Sequence, residues 1–241
     1  MEEFPRASWR AVGVLLVVAS LAVAGCATVP KQAYNRAANK DVHVVGVLEP
    51  ATSDDYFVQN VGHVGLSFGL IGGLIAMADM NGKTSEFTKA AKASGLALAS
   101  EYQTELVREV EKAGYVVKIL QIQRPKSAFL SAYDGLDDLC DVYLDSTIYA
   151  GYMSASGITD YVPAVRAAIR VVKRSTKDVL YQEYVAYGYE FRGAQAISIS
   201  SDPKYRFKDH PTLMANMPLA VEGLRNGIPA VVGQISRDLA P

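Results

Sequence analysis

Residues 11–24 (AVGVLLVVASLAVA) are apolar or small without interruption. As a helix this run would span about 21 Å, short of the roughly 30 Å hydrocarbon core of a bilayer. It follows a polar stretch in which Arg6 and Arg10 offset Glu2 and Glu3. Those proportions match the h-region of a secretory signal peptide, not a transmembrane anchor. Such a run stands apart from the folded domain, and it accounts for part of the 50% hydrophobic content. With 241 residues the chain still has enough apolar material for one substantial core. A formal charge of −1 gives no electrostatic footprint for nucleic acid. Two cysteines exclude a disulfide scaffold, and three scattered histidines (His43, His63, His210) offer no metal-ligand spacing.

The run closes on Val23-Ala24-Gly25-Cys26. This resembles the lipobox of bacterial lipoproteins: an aliphatic residue, two small ones that let a peptidase close on the backbone, and a thiol that accepts a diacylglyceryl group. The resemblance implies cleavage before Cys26, with residues 1–25 removed and an acylated chain of 216 residues left. Several acyl chains, each contributing roughly 0.8 kcal/mol per buried methylene, make a stable anchor. Ala27, rather than Asp, follows the cysteine, which in a Gram-negative host implies an outer-membrane protein facing the periplasm. Residues 26–41 are polar, contain Pro30 and read as a lipidated tether. Acylation of Cys26 leaves Cys140 without a partner, and its apolar neighbours suggest a core thiol.

Residues 42–241 read as a single α/β domain. Val42–Leu48 (VHVVGVL) has the composition of a buried strand. From Glu86 to Ala113 apolar residues recur at helical spacing, with Ser85 as a cap, Gly95 as a weak point and Gly114 as a stop. Tyr115–Ile122 follows as a strand. Alternating runs at 141–149, 162–173 and 179–190 give three more, the last two joined as a hairpin through 174–178. Residues 211–239 are helical, with interruptions expected at Pro218 and Pro229. A small mixed sheet with helices on one face buries both apolar sets in two layers. The passage Thr104–Val117, then the strand series and terminal helix, resembles a group of envelope α/β domains. These include the amino-terminal domain of TolB, the lipoprotein activators of penicillin-binding proteins and the curli secretion lipoprotein. That resemblance implies a domain acting by protein contact or assembly rather than catalysis.

Val61–Met80 (VGHVGLSFGLIGGLIAMADM) is a second apolar concentration, and Gly65, Gly69 and Gly73 recur every fourth residue. That spacing lines up small residues on one helix face, as in helix pairs that approach closely in lipid. Two readings follow: a membrane or oligomer contact, or packing on the domain's own core. Tyr181, Tyr187 and Tyr189 share a strand face, which suits either a partner surface or cross-strand pairing.

Local catalytic signals fail one by one. Gly82-Lys83-Thr84 imitates the end of a phosphate loop, but Met77 stands where a glycine is required. Asp134, Asp137, Asp138, Asp141 and Asp145 lack EF-hand spacing and read as a solvated loop. The sequence therefore predicts no cofactor, no metal and no enzyme. It points to an envelope lipoprotein that contacts the membrane through its acyl chains. Its partners would be envelope proteins or the peptidoglycan machinery, and it could form a homo-oligomer. The alternatives are an oligomeric secretion or pore component that inserts residues 61–80, and a hydrolase whose site is assembled from distant residues.

Overall fold

A computed structural model describes residues 31–62, 69–124, 128–137, 139–190 and 196–240, with the backbone alone for 69–76. Its axis is β5 (Val142–Ser154), thirteen residues long. One flank of β5 is paired along its length by antiparallel β6 (Val162–Lys173). Its other flank is shared in succession by β1 (Val44–Leu48), β2 (Ala51–Thr52) and β3 (Phe57–Asn60), all parallel to it. β4 (Val116–Leu120) lies outside β1 and parallel to it. On the far side β7 (Val179–Gly188) pairs antiparallel with β6, and β8 (Ile197–Ile199) pairs parallel with β7. The order across the sheet is thus β4-β1-β5-β6-β7-β8. The mixed α/β class and the β6–β7 hairpin match the sequence reading.

Between β3 and β4 run two helices, α1 (Gly69–Ala93) and α2 (Leu98–Lys112). The single helix expected over 86–113 is broken because Gly95 adopts φ +75°. Its N–H bonds to the Lys92 carbonyl and that of Leu96 to Ala91, the paired closure that a left-handed residue makes possible. Gly114, at φ +88°, closes α2 in the same way through Glu111 and Val110. Ser85 consequently lies inside α1 and caps nothing. The chain finishes with α3 (His210–Ala215) and α4 (Met217–Leu239). The break expected near Pro218 is real, whereas α4 continues through Pro229.

The larger of two apolar clusters lies on one face of the sheet. Leu98, Tyr102, Leu106 and Val110 of α2 join Leu224, Ile228, Val231, Val232 and Ile235 of α4 over Leu144, Ile148, Val165 and Ile169. Tyr152 is clamped edge-on between Phe87 and Phe207, at ring distances of 5.6 and 5.5 Å. Burial of each such side chain contributes about 1.5–3 kcal/mol. α4 sits close because Gly227 has no side chain; a Cβ there would lie 2.5 Å from Val165.

The tether expected over 26–41 is already docked in its described part. Gln32 exchanges two backbone hydrogen bonds with Gln182 of β7, at 2.8 and 2.9 Å. Lys31 pairs with Glu183 at 3.1 Å. Arg36 donates to the carbonyls of Leu239 (3.1 Å) and Ala113 (3.4 Å) and lies over the Tyr115 ring. Asp41 pairs with Lys173. Residues 31–41 therefore form a strap on the domain. They belong to the compact unit Lys31–Pro241.

Candidate functional site

Strand alternation sends Tyr143, Asp145 and Thr147 of β5, Arg166 and Arg170 of β6, and Gln182 and Tyr184 of β7 to the face away from the helices. Asp145 stands directly opposite Arg170 in register. Its carboxylate is fully buried, with Oδ1 2.6 Å from Nη1 of Arg124. Oδ2 accepts hydrogen bonds from Leu130 N–H and the Tyr133 hydroxyl, both 2.8 Å. Arg124 in turn donates to the carbonyls of Glu49 and Ala128. Arg170 donates to Gln182 and lies 4.4 Å from the Phe129 ring centroid. Burial, and then the Asp145 carboxylate, push the Tyr133 phenol above its ordinary pKa, so it stays a donor.

The acidic run was expected to be solvated, and the structure corrects this for two of its members. Asp145 is interior, and Asp141 Oδ2 accepts from the backbone N–H groups of His43 and Val44, fixing the start of β1. Asp134 pairs with Lys177 and Asp137 with Lys118. Asp134 and Asp137 stay in solvent-exposed ion pairs, Asp138 lies outside the described residues, and Asp145, held by three partners, has the environment of a structural anion rather than a general base. Among the described residues no group of three or more metal-ligating side chains converges.

Beneath this polar layer Cys140 packs with Leu48, Tyr133, Tyr143 and Val172. Burial raises its thiol pKa, which suits a core residue and not a nucleophile.

The surface with most to offer a partner is β4. It is paired to β1 over five residues and, among the described residues, to no other strand. Among the described residues no strand pairs with the N–H and C=O groups of its outward flank. Val116 is 61% exposed and Ile119 56%, one on each face of the sheet. Leu139 is exposed nearby, beyond the Lys118–Asp137 ion pair. An open strand with apolar side chains on both sides is a template for a further strand.

Two hollows lie at the other end of β5. One, of about 690 Å³, is lined by Val162, Gly188, Tyr189, Ser200 and Arg206 among others. The second, of about 400 Å³, lies between β3 and α1 and is lined by Met77, Met80, Thr84 and Met153, with Val61 common to both.

The three tyrosines singled out in the sequence separate. Tyr181 is buried on the helix face and donates to Asp238 of α4 at 2.8 Å. Tyr187 is buried beside Gly227. Tyr189, past the end of β7, reaches the larger hollow. Gly69 and Gly73 fall in the first turns of α1, whereas Gly65, Cys26 and the motif Val23, Ala24, Gly25 lie outside the described residues. The second half of α1 belongs to the domain. Thr84 and Thr88 accept the N–H groups of Val58 and Tyr56 (2.9 Å each), and Phe87 and Ala91 enter the core. Among the described residues no helix is long and apolar enough to cross a membrane.

Sequence reasoning missed both the β4 edge and the Asp145 network. Alternation marked 115–122 as a strand, but nothing local reveals which strand ends a sheet.

No protein-family model and no curated protein matches the chain. Among solved structures it is similar to a PelC dodecamer from Paraburkholderia phytofirmans, at 8% identity and a TM-score of 0.37. That match covers 88% of this chain and 96% of the other. It is also similar to protein XCC0632 from Xanthomonas campestris (9%, TM-score 0.38, covering 82% and 85%). A third is the hypothetical protein CT253 from Chlamydia trachomatis (12%, TM-score 0.39, covering 82% and 98%). Similarity of this size transfers no function.

Proposed function

We propose that this chain is a non-enzymatic lipoprotein of the bacterial cell envelope. Acylated Cys26 anchors it, facing the periplasm from the outer membrane, and it works by binding another envelope protein along β4. The location rests on Val23–Cys26 at the end of the apolar run. The binding role rests on one observation, the flank of β4 that no strand among the described residues pairs, with Val116 and Ile119 exposed beside it. The buried Asp145 carboxylate and the Tyr133 phenol, by contrast, are occupied in holding the polar face together.

Metabolic labelling with radioactive palmitate tests the anchor: Cys26→Ser should lose the label and leave the membrane fraction, and a variant that keeps both refutes it. Photocrosslinkers placed at Val116 and Ile119 in intact cells test the edge. Discrete adducts are expected there and not at exposed Thr159; an identical pattern at all three positions refutes the edge.

A second reading is self-assembly through the glycine-rich segment, with Gly65, Gly69 and Gly73 at the contact. It is favoured by Met77, 56% exposed at the rim of the methionine-lined hollow. Light scattering on the delipidated chain separates the two, since this reading requires a discrete multiple of the monomer mass.

A further inference from the structure

The larger hollow at the far end of β5 holds two opposite charges that the fold does not neutralise. Its volume of about 690 Å³ falls in the range of small-ligand clefts, roughly 300–1,000 Å³. Glu190 and Arg206 both line it and both are exposed. Among the described residues neither makes an ion pair, with the other or with any third group. Ser201 lines the same hollow at 7% exposure, and its buried hydroxyl oxygen has no hydrogen-bond partner among the described residues. An unbonded hydroxyl is costly inside a protein, which singles this oxygen out as a point where a ligand can bond. The backbone beneath these groups is fixed. Gly188, at φ +87°, turns the chain where a Cβ would lie 1.8 Å from the Pro163 carbonyl oxygen. Tyr189 N–H donates to that oxygen at 2.9 Å, which sets the chain entering Glu190. Arg206 N–H donates to the Pro203 carbonyl at 3.1 Å, and Phe207 exchanges two backbone hydrogen bonds with Tyr161, at 2.7 and 3.0 Å. Each charge therefore stands on backbone already tied down, and little ordering is left to oppose binding.

We infer that this hollow binds a short peptide whose amino and carboxyl ends are both free. Arg206 takes the carboxylate, Glu190 takes the ammonium, and the Ser201 hydroxyl bonds a peptide group between them. A ligand with one charge would leave the opposite side chain unanswered, whereas a zwitterion satisfies both. Ala155 and Val162 supply apolar contact alongside. Neither β4 nor Cys26 takes part, so this site stands or falls separately from the anchor and from the β4 edge.

Calorimetric titration of the full chain, held in detergent, with trialanine tests this. Trialanine should bind, and N-acetylation or C-amidation should each weaken it about tenfold. Glu190→Gln should weaken trialanine to the same degree and leave the N-acetylated peptide unchanged. Arg206→Gln should weaken trialanine likewise and leave the amidated peptide unchanged. Ser201→Ala should weaken all three peptides about fivefold. Because Glu190 and Arg206 are exposed, both variants should keep the parent's melting temperature. No binding of trialanine up to about 10 mM overturns the inference. So does binding that capping either end, or replacing either charged residue, leaves as tight as before.

Discussion

On the helix side of the sheet, Val165, Ile169 and Val185 share one apolar cluster with Leu224, Val231 and Ile235. On the opposite side, β5 and β6 offer Asp145 to Arg124 and Tyr133, and Arg170 to Phe129 and to Gln182 of β7. The first face is held by area removed from water, which is non-directional and spread over many side chains. The second is held by a few charge-assisted contacts in which each group depends on a named partner. The contrast predicts different failure modes. Loss from the apolar face scales with the volume removed, whereas the polar face fails when one charge is left behind.

The largest effect expected is at Asp145. Asp145→Ala leaves the Arg124 guanidinium buried without its anion and should cost about 3–5 kcal/mol, read as a lowered denaturant midpoint. Replacing the pair together, Asp145→Leu with Arg124→Met, should recover most of that loss. A double variant as unstable as the single would show that this side depends on shape and not on charge pairing. Leu224→Ala, on the apolar face, should cost about 3 kcal/mol, and no second substitution of a polar residue should restore it. Tyr181→Phe, at one of the polar contacts within the apolar face, removes the bond to Asp238 at a cost of about 1 kcal/mol. Val116→Lys should change stability by less than about 0.5 kcal/mol while abolishing crosslinked adducts from Ile119. A large loss of stability there would mean that β4 is covered in the native protein.

The apolar face was largely legible in the sequence. Leu98, Leu106 and Val110 recur at helical spacing, Gly114 closes the helix, and the alternation at 162–173 separates Val165, Ala167 and Ile169 from Arg166 and Arg170. These signals are local. The polar face was not legible, because Asp145 sits in a row of aspartates whose common reading is solvation. Its burial follows from Arg124 and Tyr133 arriving from a connection that alternation does not describe. Tyr181 and Tyr187 left two readings open, and burial favours packing within the sheet. Their shared face is real, but α4, thirty or more residues downstream, covers it. The β4 edge depends on the sheet order, and β5 pairs on one flank with three strands from residues 44–60, a non-local arrangement that no strand announces by itself.

The strap also sets a schedule. Its contacts are with Ala113, Gln182 and Leu239, and Arg36 and Leu239 are 203 positions apart. A chain that emerges amino terminus first can close the Arg36–Leu239 contact only when nearly all of it has appeared, since long-range pairing waits on its later partner. Until then the strap lacks the α4 end of its docking surface. The amino-terminal strap, the first part of this unit to be made, is thus among the last to be locked in place.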